Sequence, residues 1–128
     1  MLEIIHKLNL ILQALLINPI VAEYDQDGWH IRKYANGHCE ASLSTTVHPE
    51  SAGSAIGGVY STTTKVNLPA GLFIETPRAI CSCLFGNGVW SEAYANFTTY
   101  IVIAIYRGAT MQTSWSVPVY LQVSGRWK

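Results

Sequence analysis

YDQDGWHIRKYANGHCEASL, residues 24–43, carries the turn signal on which the fold depends. Asn36-Gly37 fits the central pair of a type I′ hairpin turn, where both positions need φ > 0. Two-residue closure predicts the cross-strand partners Tyr34–Cys39, Lys33–Glu40, Arg32–Ala41, Ile31–Ser42 and His30–Leu43. One face then holds Tyr34, Cys39, Ala41 and Leu43, together with Arg32 and His30. The other holds Trp29 and Ile31 beside a Lys33–Glu40 pair. A half-buried antiparallel hairpin is apolar on one face only. This register makes it apolar on both, and so asks for a second covering surface.

Beyond residue 24 the apolar pattern alternates with period two and is cut by frequent turn signals. The predicted strands are 29–34, 38–46, 59–67, 71–75, 78–85, 98–106, 112–116 and 118–125. TTYIVIAIY, residues 98–106, is the most apolar and should be a central strand. Punctuation falls at HPESAGSAIGG, LPAG, FGNG and YRGAT. Many short strands with no second helix point to a mainly β, antiparallel β-sandwich or jelly-roll-like head over residues 28–128.

The start of the chain reads differently. In MLEIIHKLNLILQALLINP, residues 1–19, Ile5, Leu8, Leu12 and Leu15 follow 3-4-3 spacing, and Ile4, Leu8, Ile11 and Leu15 follow 4-3-4. The stripe is wider than a two-stranded seam needs, and Asn18-Pro19 should stop the helix. Residues 1–18 are therefore read as a coiled-coil oligomerisation helix, and three strands fit the stripe best. Residues 19–27 are read as a linker. Glu3, His6, Lys7, Asn9 and Gln13 interrupt the apolar run, which argues against a signal peptide and against membrane insertion.

At 128 residues the chain is large enough for one core. It is 49% hydrophobic but only 12% charged, about half the charged share usual for a soluble domain, so some apolar surface should meet another chain. Eight basic and eight acidic side chains cancel with no basic stripe, which excludes a nucleic-acid partner. Cys39, Cys81 and Cys83 lack metal-ligand spacing and read as reduced core thiols, in keeping with a reducing compartment.

Catalysis finds little support. His6, His30, His38 and His48 lie near no nucleophile motif, and neither a Gly-x-Ser-x-Gly elbow nor a phosphate-binding glycine loop is present. No cofactor is implied. Glu23, Asp25 and Asp27 alternate in what reads as a solvated loop, far from an EF-hand pattern. FGNGVWSEAYANFTTY, residues 85–100, is richer. Its rings can stack on sugar faces while short polar groups bond hydroxyls, or they can plug the end of the sandwich or a subunit interface. On the first reading Trp90 and Tyr94 stack, and Asn87, Glu92 and Asn96 meet hydroxyls, on loops at the end away from the helix.

Three separated pieces carry a family resemblance. GWHIRKYANGHCE, residues 28–40, resembles a Trp-x-x-Arg-Lys-Trp/Tyr-x-x-Gly-x-x-Glu hairpin. LPAGLFIETP, residues 68–77, resembles a Phe-Pro-x-Gly-Leu-Phe-x-x-x-Pro segment, and GRWK, residues 125–128, a closing strand. In this order they resemble the C-terminal domains of tail, baseplate or fibre proteins of phages and prophages of Gram-positive, especially gut, bacteria. Leu68 stands where Phe is usual, and Tyr34 where Trp is common.

The resemblance implies a virion protein assembled in the host cytoplasm without a signal peptide. It implies a homotrimer that joins other tail or baseplate proteins, binds a host cell-wall or capsular saccharide, and catalyses nothing. In such a head the second apolar hairpin face would meet a neighbouring chain or the helix-to-sheet junction, with Arg32 and Lys33 held by carboxylates such as Glu40 and their stems laid along aromatic rings. The alternatives are a purely structural fibre tip without ligand and a secreted lectin, the latter disfavoured by the absence of a signal sequence.

Overall fold

Residues 20–47 form two successive hairpins, in a register one residue away from that predicted. The structure, a computed structural model, describes residues 1–16 and 18–128, without the side chains of residues 13–17. Strand β1 (Ile20–Gln26) turns into β2 (Trp29–Tyr34), which turns into β3 (His38–Val47). The type I′ signature sits at the first turn: Asp27 and Gly28 have φ of 54° and 84°, and Gln26 pairs with Trp29. Residues 20–26, read as a linker, are thus an edge strand of the sheet.

The second turn differs. Gly37 has φ of 95° but Asn36 does not share it, and the Gly37 amide donates to the Tyr34 carbonyl at 3.0 Å. This is a three-residue loop closed by a left-handed glycine. It pairs Lys33 with Cys39, Arg32 with Glu40, Ile31 with Ala41 and His30 with Ser42. The predicted Lys33–Glu40 pair does not form. A one-residue slip moves every side chain to the other face, and the two-faced hairpin becomes an ordinary one. Trp29, Ile31, Cys39 and Ala41 are buried together, while His30, Arg32, Glu40 and Ser42 share the outer face. No neighbouring chain is needed to cover it.

Lys33 is the exception on the inner face. Its ammonium lies 5.4 Å from the Tyr24 ring centroid and 5.3 Å from that of Trp127, so its stem is covered while two aromatic faces carry the charge. At Gly37 an added Cβ would sit 2.6 Å from Arg126 Nη2 and 2.7 Å from the Lys128 carbonyl oxygen, so glycine is required for space as well as for φ.

The chain continues through β4 (Ser54–Ile56), β5 (Val59–Asn67), β6 (Arg78–Cys83), β7 (Val89–Asn96), β8 (Tyr100–Arg107) and β9 (Val117–Arg126). Two antiparallel sheets result, ordered β1-β2-β3-β9-β6 and β4-β5-β8-β7. Their inner faces share one core, to which the first sheet gives Val117, Val119, Leu121 and Val123 and the second gives Ile101, Ile103 and Ile105. The architecture is a β-sandwich. As predicted, the 98–106 segment is central: β8 lies between β5 and β7.

Two predicted strands are not strands. Residues 71–75 form a turn after Pro69, and Leu72, Phe73, Pro69 and Pro77 are buried there as a plug. Residues 112–116 also turn, the Trp115 amide donating to the Gln112 carbonyl at 3.1 Å. The three pieces behind the family resemblance meet in space. The Ile74 amide donates to the Arg126 carbonyl at 3.0 Å, the Trp127 amide to the Gly37 carbonyl at 2.9 Å, and Trp127 Nε1 to the Tyr34 carbonyl at 3.0 Å. At Gly125 a Cβ would lie 2.8 Å from the Phe73 ring.

Helix α1 (Leu2–Leu16) stops before Asn18-Pro19, as the sequence requires. Every side chain described on it, from Leu2 to Leu12, is exposed, including Ile4, Ile5, Leu8, Ile11 and Leu12 of the predicted stripe. Leu15 of that stripe lies outside the described side chains. Within a single chain, therefore, the described part of this apolar helix is not laid on the core. It joins the sandwich where the Asn36 amide donates to Asn18 Oδ1 at 2.9 Å and the Ala35 amide to the Pro19 carbonyl at 3.0 Å.

Candidate functional site

The stretch proposed to carry ligand chemistry is a strand and not a set of loops. Residues 89–96 are β7, an edge strand paired only with β8 within its sheet. Alternation turns Trp90 and Glu92 to the outer face, opposite Tyr106 and Ala104. Tyr94, next in the same alternation, is 65% exposed, at a bulge between Ala93 and Ala95. The bulge reverses the phase beyond it. Asn96 pairs with the buried Ile101, and its Oδ1 is buried without a partner among the described residues. Asn96 is thus only partly exposed, with its Oδ1 turned away from the surface that Trp90 and Glu92 share.

Asn87 belongs to the turn before β7, where its carbonyl accepts from Arg107 Nε at 2.8 Å. That turn is at the far end of the first sheet from the helix, since the neighbouring Leu84 amide bonds the Pro118 carbonyl at the start of β9. Of the five predicted residues, Trp90, Glu92 and Tyr94 gather on one open surface, Asn87 lies at its margin, and Asn96 leaves it.

The sequence reading missed Tyr106. In YIVIAIYR, residues 100–107, Ile101, Ile103 and Ile105 point inward, and the even positions present Tyr100, Val102 and Tyr106 outward. That alternation was the available signal. The Trp90 and Tyr106 rings stack with centroids 5.8 Å apart and planes 20° apart. The Tyr106 hydroxyl donates to Glu92 Oε1, which pushes its pKa up to about 12 and keeps it a proton donor at neutral pH. Farther along, Phe97 and Tyr100 lie 4.6 Å apart, and the Lys65 ammonium sits 4.1 Å from the Tyr100 ring. Two aromatic pairs thus stand on this sheet, and the first lies beside a carboxylate.

The acidic alternation also has a role not foreseen. Glu23 and Asp25 stand on β1 and bracket His30 on β2, with Nδ1 2.7 Å from Asp25 and Nε2 2.9 Å from Glu23. Ionised carboxylates accept only, so the bracket is complete when His30 is protonated and both ring nitrogens donate. Arg32 Nε donates to Glu23 at 3.0 Å. The Asp25 and Glu23 bonds raise the His30 pKa, and the bonds from His30 and Arg32 hold Glu23 below its ordinary value. The His30 contribution is complete below the ordinary value of 6.5 and fades as pH rises through the raised one. The Glu23 contribution is present above 4.5 and fades as pH falls through the lowered one. An NMR titration should place His30 above 6.5; a midpoint at or below that value would contradict the bracket.

The thiols are quiet. Burial pushes Cys39 up to about 11 and raises Cys81, whose Sγ lies 3.4 Å from Ser91 Oγ, so neither is a thiolate at neutral pH. Among the described residues no three His, Cys, Asp or Glu side chains are placed to hold a metal ion, and no helix is long and apolar enough to cross a membrane. Compared with known proteins, the chain matches no family model, no curated protein and no solved structure.

Proposed function

We propose that this chain is the jelly-roll-like head of a trimeric phage tail or baseplate fibre, held by its helix and binding a host cell-surface saccharide. The observation that carries the ligand reading is the open surface of Trp90, Tyr94 and Tyr106 with Glu92 between them. Exposed aromatic faces strip water from the apolar side of a sugar ring, and a fixed carboxylate accepts from its hydroxyls. That surface is shallow, so one site binds weakly, and three parallel copies on a repetitive polymer supply the rest through effective concentration. The trimer reading rests on the apolar side chains described on the helix, which the single chain leaves exposed, and the virion reading on the resemblance in the three converging pieces.

A saccharide array probed with the full chain tests this. Replacing both Trp90 and Tyr94 with Ala should weaken binding about tenfold or more. The melting temperature should barely move, because Trp90 is 49% and Tyr94 65% exposed. A stable double variant that binds unchanged would remove the site. Glu92 is already engaged by Tyr106, which favours one other reading, a fibre tip with no ligand; that reading predicts a silent array.

A further inference from the structure

The outer face of the first sheet, opposite the aromatic surface, holds a trough that neither composition nor resemblance singled out. Its shape comes from side-chain height. Beyond His38 and Glu40, the outward positions of β3 are Ser42, Ser44 and Thr46, all short hydroxyls, whereas β2 raises His30 and Arg32 on one side and β9 raises Tyr120 and Gln122 on the other. Ser42 lies directly between His30 and Gln122, and Ser44 beside Tyr120. A depression of about 200 Å³ spans His30, Arg32, Glu40, Ser42, Tyr120 and Gln122. A second, of about 410 Å³, continues from the other side of Tyr120 towards Leu84 and Pro118. Tyr120, 46% exposed, divides the two.

The bonding pattern specifies the occupant. Arg32 and Glu40 are cross-strand neighbours, yet Arg32 forms its ion pair with Glu23 on β1, and Glu40 meets Tyr34 Oη at 3.3 Å and His38 Nε2 at 3.2 Å. A cation and a carboxylate therefore flank the trough without neutralising each other directly. A bound anion would face Glu40, and a bound cation would face Arg32. Hydroxyl groups donate and accept, so they suit both walls, the amide of Gln122 and the serine floor together. The Tyr120 ring offers an apolar face for stacking. We infer that this trough is a second ligand site, taking uncharged sugar residues of a glycan chain.

The site lies on the opposite sheet from Trp90 and does not rest on it. The test uses an array of neutral, amino and acidic saccharides, followed by calorimetric titration of the full chain with the best neutral hit. Tyr120→Ala and Gln122→Ala should each raise Kd about tenfold, and Ser42→Tyr, which fills the trough, should abolish binding. The Trp90→Ala, Tyr94→Ala double variant should retain that hit. Should Tyr120→Ala fail to fold, Gln122→Ala and Ser42→Tyr decide the matter alone. Neutral binding untouched by these trough variants overturns the inference, as does a response to acidic or amino saccharides only, or no response. A hit lost only in the double variant overturns it while sparing the aromatic surface.

Discussion

Replacing Trp29 with Ala should cost about 3–5 kcal/mol of unfolding free energy, the range for emptying a large aromatic site in a core. Trp29 is 1% exposed and opens β2 immediately after the Asp27-Gly28 turn. Its Nε1 donates to the Asn67 carbonyl at 3.0 Å, at the end of β5 in the opposite sheet. One side chain thus fills the core and ties the sheets together. Truncation leaves a cavity that the surrounding strands cannot close, and it strips a partner from a carbonyl. Trp29→Phe keeps most of the volume and loses the bond, so it should cost less, about 1–3 kcal/mol. Urea denaturation distinguishes the two: the midpoint should fall steeply for Ala and moderately for Phe, with the slope unchanged. A loss below about 1 kcal/mol for Ala would mean that the two sheets are held elsewhere.

The second large effect is on assembly. With Leu8 and Leu12 both changed to Asp, the trimer proposed above should dissociate. In the single chain these side chains are 53% and 56% exposed, so carboxylates there harm nothing. Inside a three-helix bundle they would be buried close to their own copies, where unpaired charge is costly by several kcal/mol per chain. Light scattering at micromolar concentration should show the native mass at three times the 14.1 kDa of one chain, and the variant at that single-chain mass. Because the described part of the helix is not laid on the core, the variant head should keep its β circular dichroism signal. A native protein that is already monomeric would sink the trimer.

The β class, the central apolar strand and the helix with its stop were legible because each repeats one signal over many residues. The register of β2 and β3 was not. Asn-Gly is a strong two-residue turn signal, yet the sequence holds a second candidate in Asp27-Gly28, and that one is the type I′ turn. The apolar set Trp29, Ile31, Cys39 and Ala41 favours the true register, but Lys33 falls in the same phase and obscured it. Tyr24 on the unforeseen strand β1 and the distant Trp127 together make a lysine tolerable there, and no local pattern reveals that.

Strand β1 was hidden for a related reason. An edge strand with Glu23 and Asp25 on its solvent face looks like a polar connector until His30 and Arg32 stand beside it. In the candidate site, Trp90 and Tyr94 were legible as aromatics among polar residues. The bulge that expels Asn96 was not, because Ala-Tyr-Ala gives no sign of an extra residue.

The position of β9 constrains how the molecule is made. It is the last strand along the chain, yet it lies between β3 and β6 and joins residues as far apart as Ala41 and Val123. A chain emerging from the ribosome can close its first hairpins at once, but the first sheet has no centre until β9 is released. Until then β3 and β6 present unpaired edges and bare apolar faces, the surfaces on which nascent chains stick to one another. Closing so long a loop before its contacts form places the molecule among slow folders, on the millisecond-to-second scale of sandwiches. Hosts or expression systems that hold nascent chains apart should favour soluble product more than changes to the finished surface.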